Sequence, residues 1–259
     1  MKTFKLSLIG LVLLGAISCK KTDNSANVTI TSDQAADMAA SSLSENSYGL
    51  TSMTDDIASN AQAVTSTGNS SQTVNSVGTS SVHQECGTTL TDSASNSGSS
   101  SSVTFDYFVK YTHTLNCNVN NEPDNLINTL NYHGDFDGPR ITTTVTGSAN
   151  AKIAGLTAQA TNFVINGEYT RAGSYVSKVG NKASGNSNVD ITVTNLLLSK
   201  PGRKILSGTG TFTITGTSPK GSFSFAGNIV FNGDGTATLT VTGGSSYVIN
   251  LANGIYDKH

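Results

Sequence analysis

From residue 103 onward, apolar and polar positions alternate with a period of two. Val103, Phe105, Tyr107, Val109, Tyr111, His113, Leu115 and Cys117 interleave with Thr104, Asp106, Lys110, Thr112, Thr114 and Asn116. Ile141, Val145, Ala149, Ala151 and Ile153 interleave with Thr142, Thr144, Thr146, Ser148 and Lys152, and the pattern returns at Phe223–Phe231 and Ala237–Val241. Successive side chains of a strand point to opposite faces, so this is the pattern of half-buried strands. Turn-forming segments separate the runs: NEPDN, DGPR, KPGR, SPKG, NGDG and TGGSS. The spacing predicts roughly nine strands in an antiparallel meander with one buried face. An apolar-x-Gly-x-apolar echo recurs at Tyr132–Phe136, Ile165–Tyr169 and Phe225–Ile229. Glycine on the apolar face of a strand permits a kink or the close approach of a covering element, which fits a strongly curved sheet.

Ahead of residue 103 the period changes. Ser32 can cap a helix running through DQAADMAASSL, with Asp33 in its first turn and Ala36, Ala39, Ala40 and Leu43 at helical spacing. Gly49 ends that run. A second helix places Leu50, Met53, Ile57, Ala61 and Val64 on one side. Both stripes are thin and rich in alanine, so such helices need a surface to lie on. Asn27–Ile30 reads as a short strand. Segments such as TSTGNSSQ and SASNSGSSSS lack periodicity and read as a flexible linker over 67–102. The expectation is a mainly β (α+β) fold: a curved antiparallel β-meander of 103–259, with two short helices of 32–66 packed on one face.

Composition agrees with that layout. Charged residues make up 12% of the 259 positions, about half the share of an ordinary soluble domain. The charges are unevenly distributed. No Lys or Arg lies between Lys21 and Lys110, where nine acids fall, whereas eleven Lys/Arg and eight Asp/Glu follow from Lys110 on. An acidic first part and a mildly basic second part attract each other weakly. No basic run is dense enough to hold nucleic acid.

The N-terminus carries an address. Lys2 and Lys5 precede an apolar core from Leu6 to Ile17, too short to span a membrane and of the length of a signal peptide (1–18). Ala16-Ile17-Ser18-Cys19 resembles the lipobox of bacterial lipoproteins, with alanine where such boxes usually carry leucine at position 16. The resemblance implies that Cys19 is acylated and begins the mature chain, followed by a tether to about residue 31. Lys20 rather than Asp follows it, which favours the outer membrane. The layout as a whole resembles Gram-negative bacterial lipoproteins that join such a signal to a Ser/Thr/Asn-rich region and a β-rich C-terminal domain. Of the remaining cysteines, Cys86 and Cys117 are expected to form a disulfide, as befits an exported protein.

Candidates for chemistry are few. His133, Asp135 and Asp137 share one strand face and are weak metal candidates, because alternate Cα atoms on a strand stand nearly 7 Å apart. Asp135, Asp137 and Glu168 would be the carboxylates of a glycan hydrolase. His113 falls on the apolar face and reads as a buried, hydrogen-bonded histidine. His83 and His259 have no evident partners. No nucleophile elbow and no phosphate-binding glycine loop occurs, so neither catalytic residues nor a cofactor are expected. Threonines on alternate positions at 142–146, 209–215 and 236–242 would form a hydroxyl surface for glycan if those strands were neighbours. The leading expectation is a non-enzymatic structural or binding domain, anchored to the envelope membrane through its lipid and engaging a glycan or an envelope protein. The alternatives are a carrier of a lipophilic ligand in a cavity between helices and sheet, and a hydrolase acting on glycans.

Overall fold

The computed structural model of the chain describes residues 30–66, 84–100 and 102–259. The signal peptide, Cys19, most of the expected Asn27–Ile30 strand and His83 lie outside the described residues. Eleven strands follow one another: β1 (Thr89–Ser99), β2 (Thr104–Cys117), β3 (Pro123–Asp137), β4 (Ile141–Ala154), β5 (Asn162–Ser177), β6 (Ser184–Ser199), β7 (Ile205–Ser218), β8 (Gly221–Phe231), β9 (Thr236–Val241), β10 (Ser246–Asn250) and β11 (Tyr256–Lys258). They form a single open sheet in sequence order, each pair antiparallel.

The meander is thus as the alternation predicts, but the strand number is eleven rather than nine. One correction concerns the linker. β1 lies inside the 67–102 stretch, where its sequence TLTDSASNSGS shows no apolar alternation because it forms the polar edge of the sheet. It is held by in-register pairing with β2 from Thr89↔Thr114 to Ser99↔Thr104. A disulfide between Cys86 and Cys117, Cα atoms 5.6 Å apart, fastens the start of β1 to the end of β2. Closing 31 residues in this way constrains the unfolded chain by about 3–4 kcal/mol. β11, at three residues, is too short for alternation to reveal.

The sheet curls. Laid flat, β4 and β11 would be about 33 Å apart at the usual strand spacing. Yet Arg140, in the β3–β4 turn, donates to the Tyr256 hydroxyl of β11 at 2.7 Å and lies over its ring. The sheet therefore has an inner and an outer face. The echoed glycines serve the inner one: a side chain at Gly134 would strike the Tyr107 ring of the neighbouring strand, and one at Gly227 the Phe212 ring. Glycine here makes room for an aromatic ring laid across the strand.

Two helices fill the hollow: α1 (Ser32–Leu43) and α2 (Leu50–Ser66), joined by a 3-10 turn at Glu45–Ser47. The cap of α1 is Thr31, one residue before the expected Ser32. Its hydroxyl accepts from the Gln34 amide while the Gln34 side chain accepts from the Thr31 amide, a capping box. Ala35, Ala36, Ala39, Ala58 and Ala61 are fully buried, so the helix backbones approach the sheet closely. Leu43, Met53 and Ile57 reach the core alongside Leu126, Leu130, Phe163, Leu196 and Leu239. The charge asymmetry becomes contact. Asp33, Asp37 and Asp55 of the helices pair with Lys258, Arg140 and Arg203 of the sheet and its loops.

Candidate functional site

The residues proposed for chemistry stand apart from one another. His133 lies on the outer face of β3 with its ring 5.4 Å from that of Phe108 on β2. Asp135 accepts from the Thr144 hydroxyl at 2.5 Å. Asp137 accepts from Thr142 and pairs with Lys178 at 2.6 Å, and these contacts hold its carboxyl below the usual range. Among the described residues no three His, Cys, Asp or Glu side chains are grouped to hold a metal ion. Glu168 also faces outward, on β5, but it lies six residues, about 20 Å, along that strand from Ser174, which shares a rung with Asp135 through Thr144. The sheet does not bring these carboxylates together.

His113 points inward and is buried, as its place in the alternation predicts, but its Nδ1 has no hydrogen-bond partner. Burial depresses its pKa and so disfavours the charged imidazolium. The expected threonine surface also changes form. The strands concerned, β4, β7 and β9, are separated by β5, β6 and β8. Register supplies a different continuity. Thr91, Thr112, Thr129, Asn150, Glu168, Thr192, Thr211, Asn228, Thr240 and Ser246 are successive cross-strand partners from β1 to β10. One rung of the outer face is therefore polar from β1 to β10, about 40 Å along the sheet at 4.8 Å per strand. Its side chains are exposed or half-buried.

The inner face holds polar groups of another kind. Arg171 stands at an inward position of β5, between Tyr169 and Gly173, and is almost wholly buried. Its Nη1 donates to the carbonyls of Ser41 at 2.8 Å and Ser47 at 3.1 Å, which closes the C-terminal end of α1 and the turn after it. A cation at that end is favoured by the helix dipole. Its Nη2 donates to Thr143 Oγ1 at 3.0 Å and the Tyr107 hydroxyl at 3.3 Å. Tyr132 donates to Tyr169 at 2.7 Å beside them. Burial alone would weaken this cation, but the hydroxyls and carbonyls around it keep it charged, and an arginine does not surrender its proton.

A second cluster lies under α2. Tyr48 and Tyr111 both donate to Asp56 Oδ2, at 2.6 and 2.7 Å. Tyr48 takes a left-handed backbone (φ 49°), turning the chain between the 3-10 turn and α2. Burial pushes the Asp56 carboxyl above the usual range, with the two phenols opposing that shift.

Sequence reasoning missed both clusters, although Arg171 left a trace: it is an arginine in the apolar phase of the β5 alternation, where every neighbour at spacing two is aromatic, aliphatic or glycine. Chemically these groups bind the helices to the sheet. Each terminal Arg171 N–H is committed to the protein, and the Asp56 carboxylate is covered by phenols. Scanning the chain against family models, the curated proteins and the solved structures returned no match.

Proposed function

We propose that this chain is a membrane-anchored envelope lipoprotein whose β domain is a non-enzymatic structural or binding module. The observation that carries this reading is the filled inner face. The place where a curved sheet would hold a lipophilic ligand is taken by α1 and α2, whose Ala35, Ala36, Ala39, Ala58 and Ala61 are packed to zero exposure. The void beneath α1 measures about 10 Å³, too small for a lipid. A hydrolase is disfavoured because Asp135, Asp137 and Glu168 lie on an open face and do not converge. What the domain offers to a partner is its outer face, where hydroxyl and amide groups, interrupted only by the Glu168 carboxylate, run across ten strands.

The anchor is proposed from Lys2, Lys5, the Leu6–Ile17 core and Ala16-Ile17-Ser18-Cys19. The Cys86–Cys117 bridge supports an oxidising compartment such as the bacterial periplasm or cell surface. The outer membrane is the proposed destination, with Lys20 at the position where an acidic residue would argue for retention. The experiment is native mass spectrometry of the protein purified from its own envelope, paired with fractionation of Cys19→Ala. We expect the mass of the acylated chain alone, and loss of Cys19→Ala from the membrane fraction. A bound molecule that leaves on denaturation would instead favour the carrier. Retention of Cys19→Ala in the membrane would reject the anchor.

A further inference from the structure

We propose that the void beside Arg171 is a binding site for one monatomic anion, a halide of the size of chloride. Arg171 brings a full positive charge into the space between α1 and the sheet. Among the described residues no carboxylate lies within 4.0 Å of its guanidinium; the groups it touches are neutral carbonyls and hydroxyls. A buried charge without a counter-ion is costly, and arginine cannot relieve the cost by losing its proton.

The void of about 10 Å³ adjoins this charge and is lined by Ser41, Ser42, Thr143, Arg171 and Ser187 among others. Its hydroxyls decide what it suits. Among the described residues, Thr143 Oγ1 accepts from Arg171 and donates to no group, and the hydroxyls of Ser41 and Ser187 have no hydrogen-bond partner. Three O–H donors beside a cation, with no acceptor among the described residues claiming them, form an environment rich in protons. Water would satisfy the donors and leave the charge uncompensated. An anion does both. With about 10 Å³ of space, the void suits a single atom better than sulfate, nitrate or a carboxylate. Half-buried Gly173 and Ser187 provide the way in. The bound anion would lie under α1, so its occupancy stabilises the joining of helix to sheet.

The test uses the purified full-length chain in detergent. Crystals soaked in sodium bromide should show an anomalous scattering peak in the void between Arg171, Thr143 and Ser187. The melting temperature should be about 3 °C higher in sodium chloride or bromide at tenfold over the dissociation constant than in sodium gluconate at equal ionic strength. Thr143→Val combined with Ser187→Ala leaves the cation and the core in place and should abolish both the peak and the halide increment. That variant serves where Arg171→Met fails to fold. A void holding only water in bromide-soaked crystals, bromide confined to the surface, or equal melting temperatures in the two salts would overturn the proposal.

Discussion

The two faces of the sheet are made by the same strands and could hardly differ more. Inward, alternate residues of β2 to β10 are mostly aromatic, aliphatic or glycine, with His113, Asn128, Thr143 and Arg171 among the exceptions, and they meet two alanine-rich helices at close range. Outward, the alternate set is mostly threonine, serine and asparagine with scattered charges and a few exposed apolar residues (Phe108, Ile127, Val176, Val230), and hydroxyls meet each other in the Thr89–Thr114 and Thr240–Ser246 contacts. The comparison teaches where stability resides. Inner positions are fixed by packing and by two buried polar clusters; outer positions are constrained only by strand propensity and solubility, which leaves them free to serve a partner.

That contrast can be tested by substitution. Leu130→Ala removes a fully buried side chain from the centre of the inner face and should destabilise by about 3–4 kcal/mol in chemical denaturation. Arg171→Met keeps much of the volume but strands the Ser41 and Ser47 carbonyls; we expect about 2–3 kcal/mol, read in the same assay. Lys258→Ala breaks a half-exposed pair with Asp33, expected at about 0.5 kcal/mol and diminished by salt. On the outer face, Thr211→Ala together with Thr192→Ala should stay within about 0.5 kcal/mol. A large loss there would erase the distinction between the faces.

Asp56 sharpens the comparison through pH. Its carboxyl titrates above the ordinary 3.8 in the folded protein because it is buried. The unfolded chain therefore ionises first as pH rises. The contribution of this group to stability is greatest below about pH 3.8 and declines as pH climbs through the folded value. Asp56→Asn should remove that decline, so the stability of the natural chain relative to the variant should fall between pH 4 and neutrality. A difference independent of pH would mean that Asp56 is not desolvated under α2.

Legibility in the sequence followed the same division. Period-two alternation revealed the meander from Val103 on, and helical spacing revealed α1 and α2, because burial on one face writes itself into the sequence. β1 was hidden because an edge strand of Ser, Ala and Gly buries little and is held by backbone pairing to β2 and by the Cys86–Cys117 bridge. The α1 cap fell at Thr31 rather than Ser32 because the reciprocal bond to Gln34 decides it, a relation of three residues that composition does not rank. Asp56 was unreadable, since its partners Tyr48 and Tyr111 meet it only after the chain turns and the sheet curls. Arg171 was readable as a charge out of phase, but the carbonyls it caps come from α1 and the turn after it, 124 to 130 residues earlier in the chain. The outer polar rung depends on strand register, which no single strand encodes.

The central claim is that α1 and α2 are a permanent part of the inner face and not a removable cover over a ligand cavity. Native-state hydrogen exchange measures this directly. The account predicts that amides of Ala36–Leu43 and Met53–Ala61 exchange with the same free energy as those around Tyr169 in β5, because helices and sheet open together. Helix amides exchanging by a much cheaper local opening, while β5 stays protected, would contradict it and return the carrier to the front.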